Sequence, residues 1–219
     1  MRVLKCLSIL GVTLLAACGS PAQYPPTIAP RQTTPQPTVD TAAITPTVTA
    51  EQAGAVLSGG GRFSSSDGRL TFVYPQGWFV QEQPNDQFII TNDRVALSNV
   101  PGPGQYQINL VVSPIGEVPL GSQDAVQANL SARQVLEQLV SGYAGEGSST
   151  TASAPAEESL GGRTAYTSRL SNPQFDGLLM VFDAGNGTHI ALAAVSARGE
   201  LNLLEPVARG VGASVRYAP

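Results

Sequence analysis

Apolar and polar residues alternate with a period of two along much of the chain after residue 62, which is typical of strands buried on one face. Turn-forming residues interrupt the alternation at Pro75-Gln76-Gly77, Pro84-Asn85-Asp86, Gly161-Gly162 and Asn186-Gly187. Strands are predicted in 69–74, 78–82, 87–92, 94–98, 105–112, 151–159, 163–170, 178–183, 188–195 and 214–217. The first two flank the Pro75-Gln76-Gly77 turn and are predicted to pair as a β-hairpin.

Two segments show the periodicity of amphipathic helices. The first runs from Ala132 to about Gly142, and Ser131 with Gln134 three residues on has the spacing of a capping box. The second runs from about Leu201 to Val211, with Pro206 early in it, where a missing N–H is tolerated. The order of strands and helices predicts an α+β fold in which helices cover an antiparallel β-sheet.

The first residues of the chain have the anatomy of an export signal. Arg2 and Lys5 form a basic start, and Leu7 to Ala17 is an apolar stretch that ends in small residues. This stretch is shorter than the about 20 apolar residues of a transmembrane helix. Leu15-Ala16-Ala17-Cys18 resembles the lipobox of bacterial lipoproteins, which implies a signal peptide over residues 1–17 and acyl chains on Cys18. The alternative is an ordinary signal peptide that contains a cysteine.

Residues 18–61 differ in composition from the rest, being rich in Pro, Thr, Ala and Gln, as in Thr33-Thr34-Pro35-Gln36-Pro37-Thr38. They show no apolar period of either kind, and such a segment buries too little apolar surface to offset the entropy lost on ordering. We expect a disordered tether between the lipid on Cys18 and a folded domain over residues 62–219. The expected location is the extracytoplasmic face of the cell membrane.

The two cysteines exclude several chemistries. Cys6 leaves with the signal peptide and Cys18 carries the lipid, so the mature chain has no free thiol. We therefore expect no disulfide framework, no cysteine nucleophile and no thiolate-bound metal.

The net charge and the distribution of basic residues argue against nucleic acid as a partner. Cleavage after Ala17 removes Arg2 and Lys5 and changes the net charge from −4 to −6. Lys5 is the sole lysine of the chain and the arginines are scattered, so we expect the mature protein to have no basic patch for nucleic acid or anionic lipid and no lysine for Schiff-base chemistry.

The remaining titratable residues do not form a recognisable catalytic or metal-binding pattern. His189 is the sole histidine and is interpreted as a polar residue at a strand end; no G-x-S-x-G is present. Asp183-Ala184-Gly185-Asn186-Gly187 lacks the alternating oxygen ligands of a calcium loop and is interpreted as a hairpin turn. Glu157 with Glu158, and Glu82 with Asp86, would act as carboxylate pairs only if the fold brought them together. We predict no catalytic residue, no metal and no cofactor.

Tyr74 and Trp78 are the aromatic residues most open to two interpretations. Trp78 at the start of a strand is typical of a core residue. If the two rings face solvent instead, Tyr74 and Trp78 form a binding surface.

Three segments resemble the PsbP-like proteins, which include the extrinsic subunit of photosystem II and many exported lipoproteins. They are Tyr74-Pro75-Gln76-Gly77-Trp78, Leu160-Gly161-Gly162-Arg163-Thr164-Ala165-Tyr166 and Ala213-Ser214-Val215-Arg216. The resemblance covers about Phe63 to Tyr217. It implies an α/β/α sandwich around an antiparallel sheet and a role in binding and assembling other proteins. The leading hypothesis is therefore a non-enzymatic, membrane-anchored protein-binding or assembly module. The alternatives are a solute-binding or substrate-presenting lipoprotein and, third, a hydrolase that uses carboxylates or serine.

Overall fold

The computed structural model describes residues 57–97, 100–114, 130–185 and 187–218. Cys18 and most of the expected tether lie outside these residues. Within them, none of the helices is long and apolar enough to cross a membrane. The strands are β1 (Gly61–Ser64), β2 (Leu70–Tyr74), β3 (Phe79–Gln83), β4 (Gln87–Thr91), β5 (Tyr106–Pro114), β6 (Thr151–Ala152), β7 (Ala156–Leu160), β8 (Arg163–Ser171), β9 (Phe175–Gly185), β10 (Thr188–Ala197) and β11 (Arg216–Tyr217). The helices are α1 (Ala132–Ala144) and α2 (Leu201–Ser214).

The larger sheet has the strand order β3-β4-β5-β10-β9-β8-β6, and β7 also pairs with β8. Every pairing in it is antiparallel. The predicted strand over 105–112 becomes β5, which lies inside the sheet between β4 and β10. The hairpin turn between β7 and β8 consists of Gly161 and Gly162, whose φ values of 59° and 81° are those that a two-residue type I′ turn requires.

The predicted hairpin across Pro75-Gln76-Gly77 is wrong. β2 pairs with β1 and β11 in a separate three-stranded sheet, whereas β3 pairs with β4. The turn itself forms, with the Trp78 N–H donating to the Pro75 carbonyl at 3.2 Å, but it leads the chain from one sheet to the other. Alternation identifies a strand and its apolar face; it does not select the neighbour that takes the backbone hydrogen bonds.

Two helices cover opposite faces of the larger sheet, as β9 demonstrates. Leu178, Met180 and Phe182 lie in one core cluster with residues of α2, and Leu179 and Val181 lie in the other with residues of α1. Since successive side chains of a strand point to opposite faces, α1 and α2 must lie on opposite sides of the sheet. The predicted α+β fold with an antiparallel sheet covered by helices is confirmed, and its layers are α/β/α.

The small sheet joins the α2 side of this sandwich. Leu70 and Phe72 of β2 are buried in the same cluster as the α2 residues. The rings of Phe63 and Phe72 stack with centroids 5.0 Å apart, and Phe88 of β4 meets the Phe72 ring edge-on at 6.3 Å. Leu57 is also buried here and β1 begins at Gly61, so both residues belong to the packed structure although the sequence places them in the tether.

The predicted capping box is confirmed at α1, where Ser131 Oγ accepts from the Gln134 N–H and Gln134 Oε1 accepts from the Ser131 N–H. In α2 Pro206 stands sixth, beyond the first turn, so it removes one internal hydrogen bond rather than filling a position without one. The strand predicted over 94–98 is wrong, because Arg94–Leu97 form a 3₁₀ turn. Asp93 starts that turn by accepting from the Val95 N–H at 2.9 Å. The strand predicted over 151–159 is divided into β6 and β7.

A candidate binding cavity on the sheet face

A cavity of about 390 Å³ lies on the face of the larger sheet that α1 partly covers. Its lining residues are Leu97, Val100, Pro101, Gln107, Asn109, Tyr143, Leu170, Phe175, Gly177, Leu179, Ala193, Ala194 and Val195. They come from β5, β8, β9 and β10, from the end of α1 and from the chain around the 3₁₀ turn. This volume falls in the range of small-molecule and cofactor sites, about 300–1,000 Å³.

The register of the sheet forms the floor of the cavity. One row across the strands runs from Gln107 to Val195 and Gly177, and the next runs from Asn109 to Ala193 and Leu179. Gly177 and Ala193 carry the smallest side chains of these rows. Small side chains in adjacent rows of a sheet form a depression, because they project less far from the backbone than the side chains around them.

Gln107 and Asn109 are the polar residues of the floor. They alternate along β5 with Ile108 and Leu110, which point to the opposite face and are fully buried against the α2 side. Gln107 Nε2 donates to Asn109 Oδ1 at 3.0 Å. The pair therefore fixes both carboxamides side by side in a floor that is otherwise apolar.

Tyr143 forms part of the wall near the end of α1. Burial raises the pKa of the Tyr143 hydroxyl above its ordinary value of 10.0, so this group is a neutral hydrogen-bonding group at physiological pH. Among the described residues that line the cavity, none carries a carboxylate, imidazole or guanidinium group. The described lining can therefore bind an uncharged group through the two carboxamides and the Tyr143 hydroxyl.

The rim of the cavity includes an apolar side chain exposed to solvent. Val100 is 53% exposed, whereas its neighbour Pro101 is buried. A single exposed valine is ordinary on a protein surface, but one that continues an apolar cavity extends the apolar surface available to a partner.

The structure places Tyr74 and Trp78 in different settings. Tyr74 ends β2 and its ring lies over Gly61, where an added Cβ would approach the ring to 2.3 Å. Trp78 is partly buried and stacks on Tyr106, with ring centroids 6.3 Å apart and planes 8° from parallel. Both rings pack against the core cluster on the α2 side, away from the cavity. Their role as a binding surface stays a prediction.

His189 is buried at the start of β10. Its Nε2 donates to the Leu130 carbonyl at 2.8 Å, just before the N-cap of α1. Nδ1 is buried and has no hydrogen-bond partner among the described residues. The imidazole thus ties the start of α1 to the sheet.

The carboxylate pairs considered from the sequence do not form. Glu157 and Glu158 are successive residues of β7, so their side chains point to opposite faces of the sheet. Glu82 accepts from the N–H and Oγ of Ser66, and Asp86 lies 3.6 Å from an Arg69 nitrogen. Asp183 accepts from the Gly185 N–H at 2.7 Å, as in a turn. Within the described ranges, no group of three or more His, Asp or Glu residues could hold a metal ion.

A buried ionic network was not predicted from the sequence. Glu158 of β7 binds Arg209 of α2, and the two side chains are 2% and 6% exposed. Arg209 also donates to Glu205 at 2.7 Å, and Glu205 accepts from Arg169 of β8 at 2.7 Å. The spacing of Glu205 and Arg209, four residues apart on a helix, was visible in the sequence; the contribution of β7 and β8 was not, because it requires long-range packing.

The network shifts the pKa values of its members. Burial raises the pKa of Glu205, but the hydrogen bonds from Arg169 and Arg209 outweigh it, so the pKa lies below its ordinary value. Burial lowers the pKa of Arg209, but hydrogen bonds to Glu158 and Glu205 raise it overall. Both groups are charged at neutral pH, and the network connects α2 to the strands that it covers.

No protein-family model matches the chain, and no curated protein sequence matches it. Several solved structures are similar in fold. Cyanobacterial PsbP (CyanoP) from Synechocystis sp. PCC 6803 matches with a TM-score of 0.47 and 16% identity, over 72% of this chain and 92% of that protein. LpqN of Mycobacterium tuberculosis, which is involved in cell envelope biogenesis, matches with a TM-score of 0.49 and 12% identity, over 73% of this chain and 90% of LpqN. The Ran-binding protein Mog1p of Saccharomyces cerevisiae matches with a TM-score of 0.42 and 11% identity, over 70% and 85% of the two chains. These low TM-scores and identities assign neither a family nor an activity to the chain.

Proposed function

We propose that this chain is an exported lipoprotein, anchored through Cys18 to the extracytoplasmic face of the cell membrane, whose domain binds another protein without catalysing a reaction. The observation that carries the binding role is the apolar cavity on the sheet face, which continues into the exposed side chain of Val100. A catalytic cleft would instead bring together titratable groups with shifted pKa values.

The ionic network does not support catalysis at a second site. Its central members, Glu158 and Arg209, are almost fully buried, so a substrate does not reach them. Their charges neutralise each other inside the α2–sheet interface, which is a structural role.

A solute-binding lipoprotein is the second candidate, and the volume of the cavity favours it. A space of about 390 Å³ accommodates a small neutral molecule. The exposed rim favours a protein, because a small molecule inside the cavity contacts Val100 from within and leaves the outer half of this side chain in water.

In-cell photo-crosslinking tests the binding role. A benzophenone amino acid would replace Val100 in one variant and Leu203 in a control. Leu203 lies on α2 on the opposite side of the sheet and is 59% exposed, close to the 53% of Val100. We expect irradiation to join the chain to one exported protein from position 100 and not from position 203. Equal or absent adducts at both positions would contradict the proposal.

Cys18→Ala tests the anchor. Because the lipid is the proposed membrane contact, we expect the variant to remain unprocessed or to appear in soluble fractions. The measurement is phase partitioning in detergent, and unchanged partitioning of the variant into the detergent phase would rule out a lipid anchor on Cys18.

A further inference from the structure

We infer that the cavity receives an uncharged, extended peptide segment of the partner, with one apolar side chain in the cavity and the main-chain N–H and C=O of one residue against Gln107 and Asn109. This inference rests on the proposed protein-binding role and specifies the chemistry of what is bound.

The hydrogen-bonding groups of the floor match the main-chain N–H and C=O of one residue in an extended segment. Gln107 donates through Nε2 to Asn109 Oδ1, and the structure shows no other hydrogen bond for either carboxamide among the described residues. Gln107 Oε1 therefore remains as an acceptor and Asn109 Nδ2 as a donor, side by side. One residue of an extended segment presents the complementary main-chain N–H and C=O, which point to the same side of the strand. Two carboxamides on alternate residues of one strand can form hydrogen bonds with such main-chain groups, whereas a purely apolar floor cannot.

The charge of the site selects against charged side chains. None of the described lining residues carries a charge that could pair with Asp, Glu, Lys or Arg of a ligand. Moving an unpaired charge from water into such a cavity is strongly unfavourable. The partner segment is therefore uncharged at the residue that enters.

The shape of the site indicates a chain rather than a free small molecule. Gly177 and Ala193 leave room for a side chain above the floor, while Val100 stands at the rim with half of its surface in water. A segment that crosses the rim and inserts one side chain buries both regions at once. A compact solute confined to the cavity contacts the inner side of Val100 and leaves its outer half in water.

The test is a selection of short random displayed peptides on the purified full chain, followed by fluorescence anisotropy with the selected peptide, labelled, as the probe. We expect the selected peptides to be depleted in Asp, Glu, Lys and Arg. We expect Val100→Arg to weaken binding about tenfold or more, because it places an unpaired charge and a longer side chain at the rim. Leu203→Arg, the same change at a similarly exposed position, should leave the affinity within about twofold.

A second variant tests the role of the carboxamides without adding charge. Asn109→Leu keeps a side chain of similar size and removes the donor. We expect about tenfold weaker binding of the same peptide, or about 1.4 kcal/mol, which is in the range of one lost hydrogen bond. Melting temperatures of the three variants, measured in parallel, identify any that fail to fold. If Asn109→Leu does not fold, the result with Val100→Arg decides the question.

Three results would overturn the inference: selected peptides that are rich in charged residues, equal losses with Val100→Arg and Leu203→Arg, or no selected peptide at all. Native mass spectrometry of the detergent-extracted chain adds a fourth, since a bound neutral small molecule would assign the cavity to a solute. These outcomes are separate from the crosslinking test. An adduct from position 100 without a preference for neutral peptides would leave the protein-binding role standing and remove this inference.

Discussion

Gly161 in the β7–β8 turn lies directly against Ala213 in the last turn of α2, so closely that a Cβ at position 161 would be 2.6 Å from the Ala213 carbonyl oxygen. Next to it, Arg163 donates to the Gly212 carbonyl at 2.8 Å, and its guanidinium lies 4.4 Å from the centre of the Phe182 ring. The turn thus satisfies a carbonyl at the end of α2 and holds that end of the helix against the sheet. The Gly161-Gly162-Arg163 motif and the Ala213-Ser214-Val215-Arg216 segment, distant in sequence, form one contact.

Gly161→Ala and Gly162→Ala separate this contact from the backbone strain of the turn. Both glycines have positive φ, but a Cβ at Gly162 would meet nothing within 4 Å. We expect Gly162→Ala to cost about 1–2 kcal/mol from the left-handed conformation alone. Gly161→Ala should reduce the free energy of unfolding by a further amount of about 1–3 kcal/mol, because the backbone of α2 must move. Urea unfolding measures both; equal losses would contradict a tight contact with Ala213.

The stack of Trp78 on Tyr106 allows a double-mutant cycle. Because Trp78 is partly buried, we expect Trp78→Leu to reduce the free energy of unfolding by about 1–3 kcal/mol. The coupling between Trp78→Leu and Tyr106→Leu should be about 0.5–1.5 kcal/mol, the range for aromatic pairs beyond their buried area. Tyr106→Phe keeps the ring and serves as the matched control with little coupling. Additive effects of the two leucine variants would contradict a stabilising stack.

Arg209→Met should be among the most destabilising single substitutions in the domain. It leaves Glu158 and Glu205 buried without their shared cation, for which the expected loss is about 3–5 kcal/mol. Arg133→Met is the control, since the Arg133–Glu137 pair is 61% and 47% exposed and should contribute less than about 1 kcal/mol. Adding Glu158→Leu to Arg209→Met should recover part of the loss. A double variant less stable than Arg209→Met alone would show that the unpaired carboxylate is not the cause.

Acid should weaken the domain in part through Glu205. Its pKa is lowered in the folded chain, so its contribution to stability is fully present above the ordinary value of 4.5 and is lost as the pH falls through the folded value. Asp67 acts in the same direction. The hydrogen bond from Ser65, together with those from Arg69, lowers the pKa of Asp67 to about 2. The measurement is therefore the difference in urea midpoint between the parent and Glu205→Gln, followed from neutral pH down to about pH 3. We expect the difference to shrink as the pH falls below 4.5; a constant difference would contradict this linkage.

Local sequence patterns predicted correctly the features that depend on interactions between neighbouring residues. The capping box of α1 needs contacts only between Ser131 and Gln134, and the two-residue turn at Gly161-Gly162 needs only positive φ at both positions. Both were predictable from a few neighbouring residues. The turn at Asp93 also depends on local contacts. The segment Arg94–Leu97 was nevertheless predicted wrongly as a strand, because its apolar residues resemble the pattern of a strand.

The candidate site was not predictable in the same way. Alternation along β5 indicated that Gln107 and Asn109 share a face, but their position opposite Val195 and Ala193 depends on the register of β10. Gly177 and Ala193 are unremarkable in the sequence, and they form a depression only because β9 and β10 place them in adjacent rows. The sequence directed attention instead to Tyr74 and Trp78, because aromatic residues next to a turn are locally conspicuous.

The sequence by itself determined that the domain is α+β and where most strands and both helices lie. Period-two and 3.6-residue patterns reveal these features because each residue's face follows from its immediate neighbours. Only the tertiary structure decided that β2 pairs with β11 rather than β3, that Arg209 meets Glu158 across 51 residues, and that a cavity opens over β5, β9 and β10. These outcomes depend on which apolar faces are buried against each other. That choice is made by the packing of the whole chain and leaves no local signature.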